Sequence, residues 1–234
     1  MNNITDLTVT QIRIFPVDVV PLAIITTKSC IDKVRNAFSI GEVELRPFIE
    51  GKQIIVFGKG ELRTEKSLIV LNKVEVDPRR IILEVNGTSN NGDEIYESFL
   101  SVISSVASID LPTLRTPLFV AQTTQCVLAL DFASDALFST SFTDFLNRNV
   151  RKEANSKAAK ASVRPLAAIA EISYEITDKT LLDNNITLNS KQFSISPRPG
   201  APLNTKKYVI SSPFDSDTHL KLIKKLNSIF AGAT

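Results

Sequence analysis

Few side chains in this sequence have types suited to catalysis or metal binding. His219 is the single histidine of the 234 residues, and Cys30 and Cys126 are the two cysteines. These are too few for a four-ligand zinc site, and a Ser–His or Cys–His pair would have to use His219. His219 falls in the first turn of a predicted helix, beside Asp217 and away from the apolar arc. We therefore expect a solvent-exposed histidine, and we predict no catalytic residue, no metal site and no cofactor.

The two cysteines lie among apolar residues in predicted regular elements. Two cysteines cannot form a disulfide framework, and free cysteine behaves as a small apolar side chain. We predict that Cys30 and Cys126 are buried, unreactive thiols.

Carboxylates offer one alternative chemistry. Glu171 and Glu175 lie on the same face of a predicted strand, two alternations apart. Paired carboxylates can act as a general acid and base, whereas a solvated strand face would give the same pattern. The sequence contains no Walker loop, dinucleotide fingerprint or nucleophile elbow. A carboxylate-dependent enzyme stays one of three functional hypotheses.

One basic cluster stands out between residues 148 and 164. It holds six cations and a single acid, Glu153. A projecting basic segment suits contacts with phosphates, although a charged surface helix explains the same residues. The candidate anion or nucleic-acid contacts are Arg148, Arg151, Lys152, Lys157, Lys160 and Arg164.

The overall charge does not by itself indicate a nucleic-acid partner. The chain carries a net charge of +2, with 43% hydrophobic and 22% charged residues. Residues 1–117 hold 13 basic and 15 acidic side chains, and residues 118–234 hold 14 and 10, giving −2 and +4. This composition is typical of a folded globular protein.

The first half of the chain alternates strand-like runs with two amphipathic helices. Residues 11–25 form a β-branched run interrupted by Pro16 and Pro21, which predicts an edge strand or two short strands with a bend. Gly41 ends the first predicted helix, and short polar turns predict an antiparallel meander. We read Gly58–Lys59–Gly60, inside a strand, as a bulge or local turn. The predicted helices are 27–40 and 93–107, and the meander strands are 42–49, 53–63, 68–76 and 80–86.

The second half repeats this order less regularly. Ser141 and Asp144 resemble a capping box, and Phe142, Leu146 and Val150 step by four along one predicted helix side, so we expect this helix to be packed as far as about residue 154. The predicted strands are 118–132, 166–177, 192–196 and 207–210, with an uncertain element at 181–188, and the predicted helices are 139–161 and 217–230.

The strand–loop–helix unit at 79–107 recurs at 206–231, each copy opening with a basic pair. We therefore predict an α+β fold of two pseudo-repeated halves, each β-α-β-β-β-β-α with an antiparallel sheet backed by helices. The expected halves are residues 1–110 and 111–234, packed as one unit.

This doubled order of elements resembles the TATA-box-binding protein fold, which has two pseudo-symmetric halves of helix-backed antiparallel sheet. The resemblance is topological and covers nearly the whole chain. In that family a curved sheet presents its concave face to a DNA minor groove. No functional residue transfers to this sequence, because a shared fold does not carry a function with it.

No signal peptide or membrane-length apolar run is present, so we expect a soluble cytoplasmic protein. The leading hypothesis is a non-enzymatic binding or assembly module that acts on a protein partner or on itself. The alternatives are a nucleic-acid-binding protein using the basic segment and a carboxylate-dependent enzyme.

Overall fold

The computed structural model describes residues 4–47, 53–64, 67–107, 111–154 and 165–231. Within these ranges the protein is α+β with antiparallel strand pairing, as predicted, and ten strands form one sheet. The strands are β1 (Asp6–Ile14), β2 (Val43–Pro47), β3 (Gln53–Phe57), β4 (Gly60–Arg63), β5 (Leu68–Val76), β6 (Arg80–Asn86), β7 (Phe119–Ala129), β8 (Ala168–Ile172), β9 (Lys191–Pro197) and β10 (Lys207–Ser212). The helices are α1 (Leu22–Ile25), α2 (Lys28–Ala37), α3 (Ser89–Ala107), α4 (Pro112–Arg115), α5 (Thr140–Phe145), α6 (Arg151–Ala154), α7 (Lys179–Asp183) and α8 (Ser216–Ala231), with a π-helical segment, Leu146–Val150, joining α5 to α6.

The two strands that open the predicted halves, β1 and β7, lie side by side at the centre of the sheet. The order is β2-β3-β5-β6-β1-β7-β10-β9-β8, and β4 pairs with β5. All of β1 pairs with β7, from Asp6 opposite Val127 to Ile14 opposite Phe119. Each central strand is flanked on its outer side by the strand that precedes a long helix, β6 or β10.

One face of the sheet is covered by helices. In β1 the side chains of Val9, Gln11 and Arg13 are buried, and the residues between them are partly exposed. Because successive strand residues point to opposite faces, this alternation separates a helix-covered face from a second face, called here the open face.

Two apolar clusters lie on the helix-covered face. In the first, α2 and α3 pack over β1, β3, β5 and β6, where the Phe99 ring lies 6.5 Å from Phe38 and 6.0 Å from Phe57. In the second, α8 packs over β7, β9 and β10, and Phe132 lies 6.3 Å from Tyr208. No helix in the described part of the chain is long and apolar enough to cross a bilayer.

Helix α3 begins at Ser89, so the polar residues predicted to form a loop before residue 93 make its first turn. The Asn91 side chain accepts hydrogen bonds from the N–H and hydroxyl of Thr88, which supports this turn. Gly92 allows the helix to approach β1, because a Cβ there would lie 2.6 Å from Oε1 of Gln11.

The N-termini of α3 and α8 meet through a reciprocal pair of hydrogen bonds. The Ser89 N–H donates to Oγ of Ser216 at 3.0 Å, and the Ser216 N–H donates to Oγ of Ser89 at 2.9 Å. Both serines are buried. Each hydroxyl therefore satisfies a helix N-terminal amide that belongs to the other half of the chain.

Several strand predictions are confirmed. The runs 68–76 and 80–86 coincide with β5 and β6. The run 53–63 divides after Phe57 into β3 and β4, which both pair with β5, so the glycine pair marks a local turn. Gly60 is required there because a Cβ would lie 2.4 Å from the carbonyl oxygen of Phe38.

The prediction for residues 11–25 is wrong beyond Ile14. The strand starts earlier, at Asp6, and ends before Pro16. Asp18 has a left-handed backbone (φ 63°), and the short helix α1 follows Pro21. Proline and the left-handed residue remove the extended conformation that the β-branched composition favours.

In the second half, the strand predicted at 166–177 is shorter than expected and ends at Ile172. The uncertain element at 181–188 begins as a helix, α7, because Asp178 accepts a hydrogen bond from the Leu181 N–H as its N-cap. The helix predicted at 139–161 begins at Thr140 with Ser139 as its N-cap, and it is described as far as Ala154.

Candidate functional site

Three of the six predicted basic contacts lie within the described residues. Arg148, Arg151 and Lys152 are solvent-exposed on the helical stretch 140–154, and Arg148 makes one exposed ion pair with Asp144 at 3.5 Å. Lys157, Lys160 and Arg164 lie outside the described residues. The structure therefore brings together at least the first part of the cluster on one exposed helix.

The expected packing of this helix is wrong. Neither α5 nor the π-helical segment buries a side chain, and Phe142, Phe145 and Val150 are among the exposed large apolar residues. The Phe142 ring lies 5.8 Å from the ring of a near neighbour in the chain, Phe138. Spacing by four indicated an apolar side, but Phe142 and Val150 on that side are exposed.

The two carboxylates considered for acid–base chemistry are both exposed. Glu171 lies in β8, at the edge of the sheet, and Glu175 lies beyond the end of that strand. They therefore do not share a strand face. No group of three or more His, Cys, Asp or Glu side chains in the described ranges is placed to hold a metal ion.

The prediction that His219 is solvated is wrong. Its side chain is 0% exposed, and it lies between Ser212 and Cys126, with Nδ1 2.6 Å from Ser212 Oγ and Nε2 3.2 Å from Cys126 Sγ. At 100° per residue His219 lies on the same side of α8 as Ile223, Leu226 and Phe230, which pack over β7 and β10, so its placement away from the apolar arc was an error. Two polar partners in those strands compensate the burial of the imidazole.

A thiol beside an imidazole can form an activated nucleophile, but here burial favours the neutral forms. Desolvation lowers the pKa of His219 to about 4 and raises the pKa of Cys126 to about 12. Cys126 is 1% exposed. The cluster therefore links α8 to the sheet and lacks the access that a substrate needs.

The prediction of buried thiols is confirmed for both cysteines. Cys30 packs in the first apolar cluster and Cys126 in the second. Burial also raises the pKa of Cys30, so both thiols are held in the protonated form, which is a poor nucleophile.

A cavity of about 320 Å³ lies at the centre of the sheet, where β1 and β7 meet the connection from β8 to β9 (residues 173–190). We call it the central cavity. Its apolar surface comes from Ile12 and Ile14 of β1 and from Phe119 and Ala121 of β7, which face one another across the strands. Its volume lies at the lower end of the range typical of ligand pockets, roughly 300–1,000 Å³.

The opposite wall of the central cavity belongs to the connection between β8 and β9, through Tyr174, Leu188 and the residues beside Leu188. The Arg79 guanidinium holds this connection, because its Nη2 donates to the carbonyl oxygen of Asn184 at 3.0 Å. The cavity is thus bordered by strands of both halves and by a segment of the second half that is hydrogen-bonded to the first.

The charge of the cavity lining is positive. Arg80 and Lys191 line it, and no lining residue is Asp or Glu. Arg80 forms an ion pair with the buried carboxylate of Asp77 at 2.6 Å, whereas Lys191 has no ion-pair partner in the described part of the chain. An anionic group entering the cavity would therefore meet one uncompensated cation.

The backbone directions in β1 and β7 follow from their pairing registers. The Phe15 N–H bonds to the carbonyl oxygen of Arg79, so odd-numbered residues of β1 direct their backbone groups to β6. The backbone groups of even-numbered β1 residues therefore point to β7. In the register they pair with odd-numbered β7 residues, as Ile12 pairs with Ala121. The backbone groups of even-numbered β7 residues consequently face β10.

Part of this β7 edge has no partner strand. The β7–β10 pairing begins at Thr124, opposite Ser212, and continues in register to the bond from the Leu130 N–H to the carbonyl oxygen of Lys206. Val120 and Gln122 precede it, and their backbone groups have no hydrogen-bond partner among the described residues. Both residues line the central cavity.

The sequence analysis missed the central cavity for an identifiable reason. The apolar runs 11–25 and 118–132 were recognised as strands, but their adjacency in the sheet depends on contacts more than 100 residues apart. The signal that was available is the mismatch between the long β7 and the short β10, which predicts unpaired edge residues once the two strands are known to be neighbours.

Comparison with models of known protein families gives no match, and comparison with curated protein sequences gives none either. Any function assigned to the chain therefore has to rest on the chemistry of its own surfaces.

Proposed function

We propose that this protein is a non-enzymatic binding module whose ligand occupies the central cavity. The observation that carries the proposal is the position of that cavity, about 320 Å³ between the two central strands and the connection from β8 to β9. Concave apolar sites with a few polar groups are where small ligands and peptide segments bind.

The lining chemistry supports binding over catalysis. The cavity is lined without Asp, Glu, His or Cys, which are the side chains that most often act as general acids, bases or nucleophiles. His219 and Cys126 lie instead together on the helix-covered face, and Cys30 is buried in the first apolar cluster.

We also propose that the two halves are pseudo-repeats, as in the TATA-box-binding protein fold. Supporting this, β10 and α8 begin 127 residues after β6 and α3 respectively (80 to 207 and 89 to 216). The central position of β1 and β7 and the reciprocal Ser89–Ser216 bonds are what a two-fold relation requires. The central cavity would then lie beside the pseudo-two-fold axis.

The proposed function is tested by blocking the central cavity. Ala121→Leu adds a branched side chain to its lining, and Ala129→Leu makes the same change on the same strand and face but outside the cavity. The probes are a set of aliphatic and aromatic carboxylic acids and N-acetyl amino acids, screened by ligand-observed NMR with the intact protein.

We expect probes that bind the wild-type protein to lose at least about tenfold in affinity with Ala121→Leu and to keep it with Ala129→Leu. If none of these probes binds the wild-type protein, or if both variants bind them equally, the central cavity is not a site for small acids.

Binding of nucleic acid through the basic helix is the second candidate function. The observation that favours it is the exposure of Arg148, Arg151 and Lys152 on a stretch that buries none of its described side chains. Exposed arginine and lysine side chains can contact phosphates without any rearrangement of the fold.

A further inference from the structure

We propose that the occupant of the central cavity is a short extended peptide that adds a strand to the unpaired edge of β7 and carries a carboxylate. The inference deepens the proposed function and rests on it. A strand added to a sheet edge gains affinity from main-chain hydrogen bonds and specificity from alternate side chains.

The first argument is the unpaired backbone inside the cavity. Val120 and Gln122 direct their N–H and C=O groups into the cavity, away from β1. A strand edge presents unpaired N–H and C=O groups with which another chain can pair, and Val120, at 37% exposed, is accessible for such pairing. A ligand that offers donors and acceptors at strand spacing satisfies them, and a peptide backbone has that spacing, with about 7 Å between residues i and i+2.

The second argument is the way β10 ends. Its pairing with β7 stops at Ser212, the next residue is Pro213, and the chain then turns into α8. Proline has no N–H to donate and cannot continue a ladder. Pro213 and Phe214 line the cavity, so an added peptide would lie in line with β10 and continue its course along β7.

The third argument concerns side chains. Alternate residues of an added strand would face Ile12 and Ala121 on the open face, and this surface is apolar. The uncompensated charge of Lys191 supplies a partner for a carboxylate, either at the peptide C-terminus or on an Asp or Glu side chain. The geometry therefore points to an anionic peptide with at least one apolar residue.

The first test uses the unliganded protein and its complex. Without peptide, we expect the amides of Val120 and Gln122 to exchange rapidly with solvent and the amide of Ala121, which faces β1, to exchange slowly. The probes are two pools of random hexapeptides, one with free C-termini and one amidated, incubated with the intact protein. Retained peptides are identified by mass spectrometry and should slow exchange at Val120 and Gln122 at least about tenfold.

The decisive variants differ in the backbone N–H of residue 120, on the unpaired edge of β7. Val120→Pro removes the N–H that faces the cavity and leaves the β1 ladder intact, whereas Val120→Ala keeps the N–H. We expect Val120→Pro to weaken peptide binding at least about tenfold and Val120→Ala to change it less than about threefold. An N-methyl group on the pairing amide of the peptide should weaken binding to the wild-type protein equally, which keeps the test valid if Val120→Pro does not fold.

The source of the carboxylate is resolved by the two pools. Loss of binding on amidation indicates a C-terminal carboxylate, and retention of only Asp- or Glu-containing peptides by the amidated pool indicates a side chain. Lys191→Gln should reduce binding of either class about fivefold or more.

Failure of the inference is separate from failure of the proposed function. If small acids bind in an Ala121→Leu-sensitive manner but no peptide is retained, strand addition is wrong and the central cavity remains a ligand site. Retained peptides that leave exchange at Val120 and Gln122 unchanged, or that bind Val120→Pro as well as wild type, also overturn it. If neither class binds, both proposals are wrong.

Discussion

At the scale of single residues, burial determines the state of the reactive side chains. His219 has an imidazole between a hydroxyl and a thiol, and all three side chains are inaccessible to solvent or nearly so. The neutral imidazole has one N–H, so it donates to one neighbour and accepts from the other. The hydrogen-bonded row from Ser212 through His219 to Cys126 thus fixes α8 against β7 and β10.

The pH dependence of stability tests the state of His219. Its pKa is about 4 when folded, below the ordinary value of 6.5, so between these two pH values the unfolded chain binds a proton that the folded chain does not. Stability should therefore fall as the pH decreases through this window. Replacement by His219→Gln should lower the free energy of unfolding by about 1–3 kcal/mol at pH 7.

Wild type should lose about 2–3 kcal/mol of stability between pH 7 and pH 4 that His219→Gln does not lose, so the difference between them should vanish or change sign by pH 4. Urea unfolding at a series of pH values measures it, and Ser212→Ala, which retains the imidazole, is the control. A difference that is constant with pH would mean that His219 titrates alike in both states.

At the scale of elements, strands joined by regular turns were predictable. Segments whose composition favours strand but whose backbone is set by proline or a left-handed residue were not. β5 and β6 match their predicted bounds because Asp77 and Pro78 form a clear turn between two alternating runs. The run 11–25 was misread because composition favours strand there, while Pro16 and the left-handed Asp18 decide the backbone.

The candidate site was less predictable than the strands. The basic helix could be found from charge spacing, since it depends on residues close in sequence. The central cavity depends on the neighbourhood of β1 and β7 and on the early end of β10. Pro213 marks the end of β10 locally, but the pairing of β1 with β7 and of β7 with β10 has no local pattern, so the sequence analysis did not find the cavity.

The basic helix makes a prediction about salt. If Arg148, Arg151 and Lys152 contact phosphates, affinity for a 30-base nucleic acid should fall about 20- to 40-fold between roughly 50 and 200 mM salt, because three neutralised phosphates release their counterions. Replacement of the three residues by Gln should remove this binding, as measured by fluorescence anisotropy.

A matched triple variant on α8, Lys221→Gln, Lys224→Gln and Lys225→Gln, removes the same charge from another exposed surface and should leave binding nearly unchanged. Equal losses in both triple variants would indicate a general charge effect. An absence of binding at low salt would exclude the nucleic-acid function of this helix.

At the scale of the whole molecule, the two halves are joined by more than the β1–β7 ladder. The hydroxyl of Ser216 caps an amide at the start of α3, and that of Ser89 caps an amide at the start of α8. The stability of each long helix therefore depends on a side chain that comes from the other half.

A cross-half effect should follow from this exchange. Ser216→Ala leaves the Ser89 N–H without its acceptor, so we expect faster hydrogen exchange at the start of α3, and Ser89→Ala should have the converse effect on α8. Each change should lower the free energy of unfolding by about 1–2 kcal/mol. Ser228→Ala, at an exposed position of α8, should stay within about 0.5 kcal/mol of wild type.

An increase in exchange restricted to the helix that carries the substitution would contradict this prediction. It would indicate that the two N-termini are satisfied independently in solution.

The hydrogen bond from Arg79 to the Asn184 carbonyl has a consequence for the timing of binding. It holds the connection from β8 to β9, which borders the central cavity. A bound ligand would therefore dissociate more readily when this hydrogen bond is broken and the connection moves away. A net hydrogen bond of about 1 kcal/mol corresponds to about a fivefold change in rate. Arg79 would thus set how long a ligand resides in the central cavity, without touching that ligand.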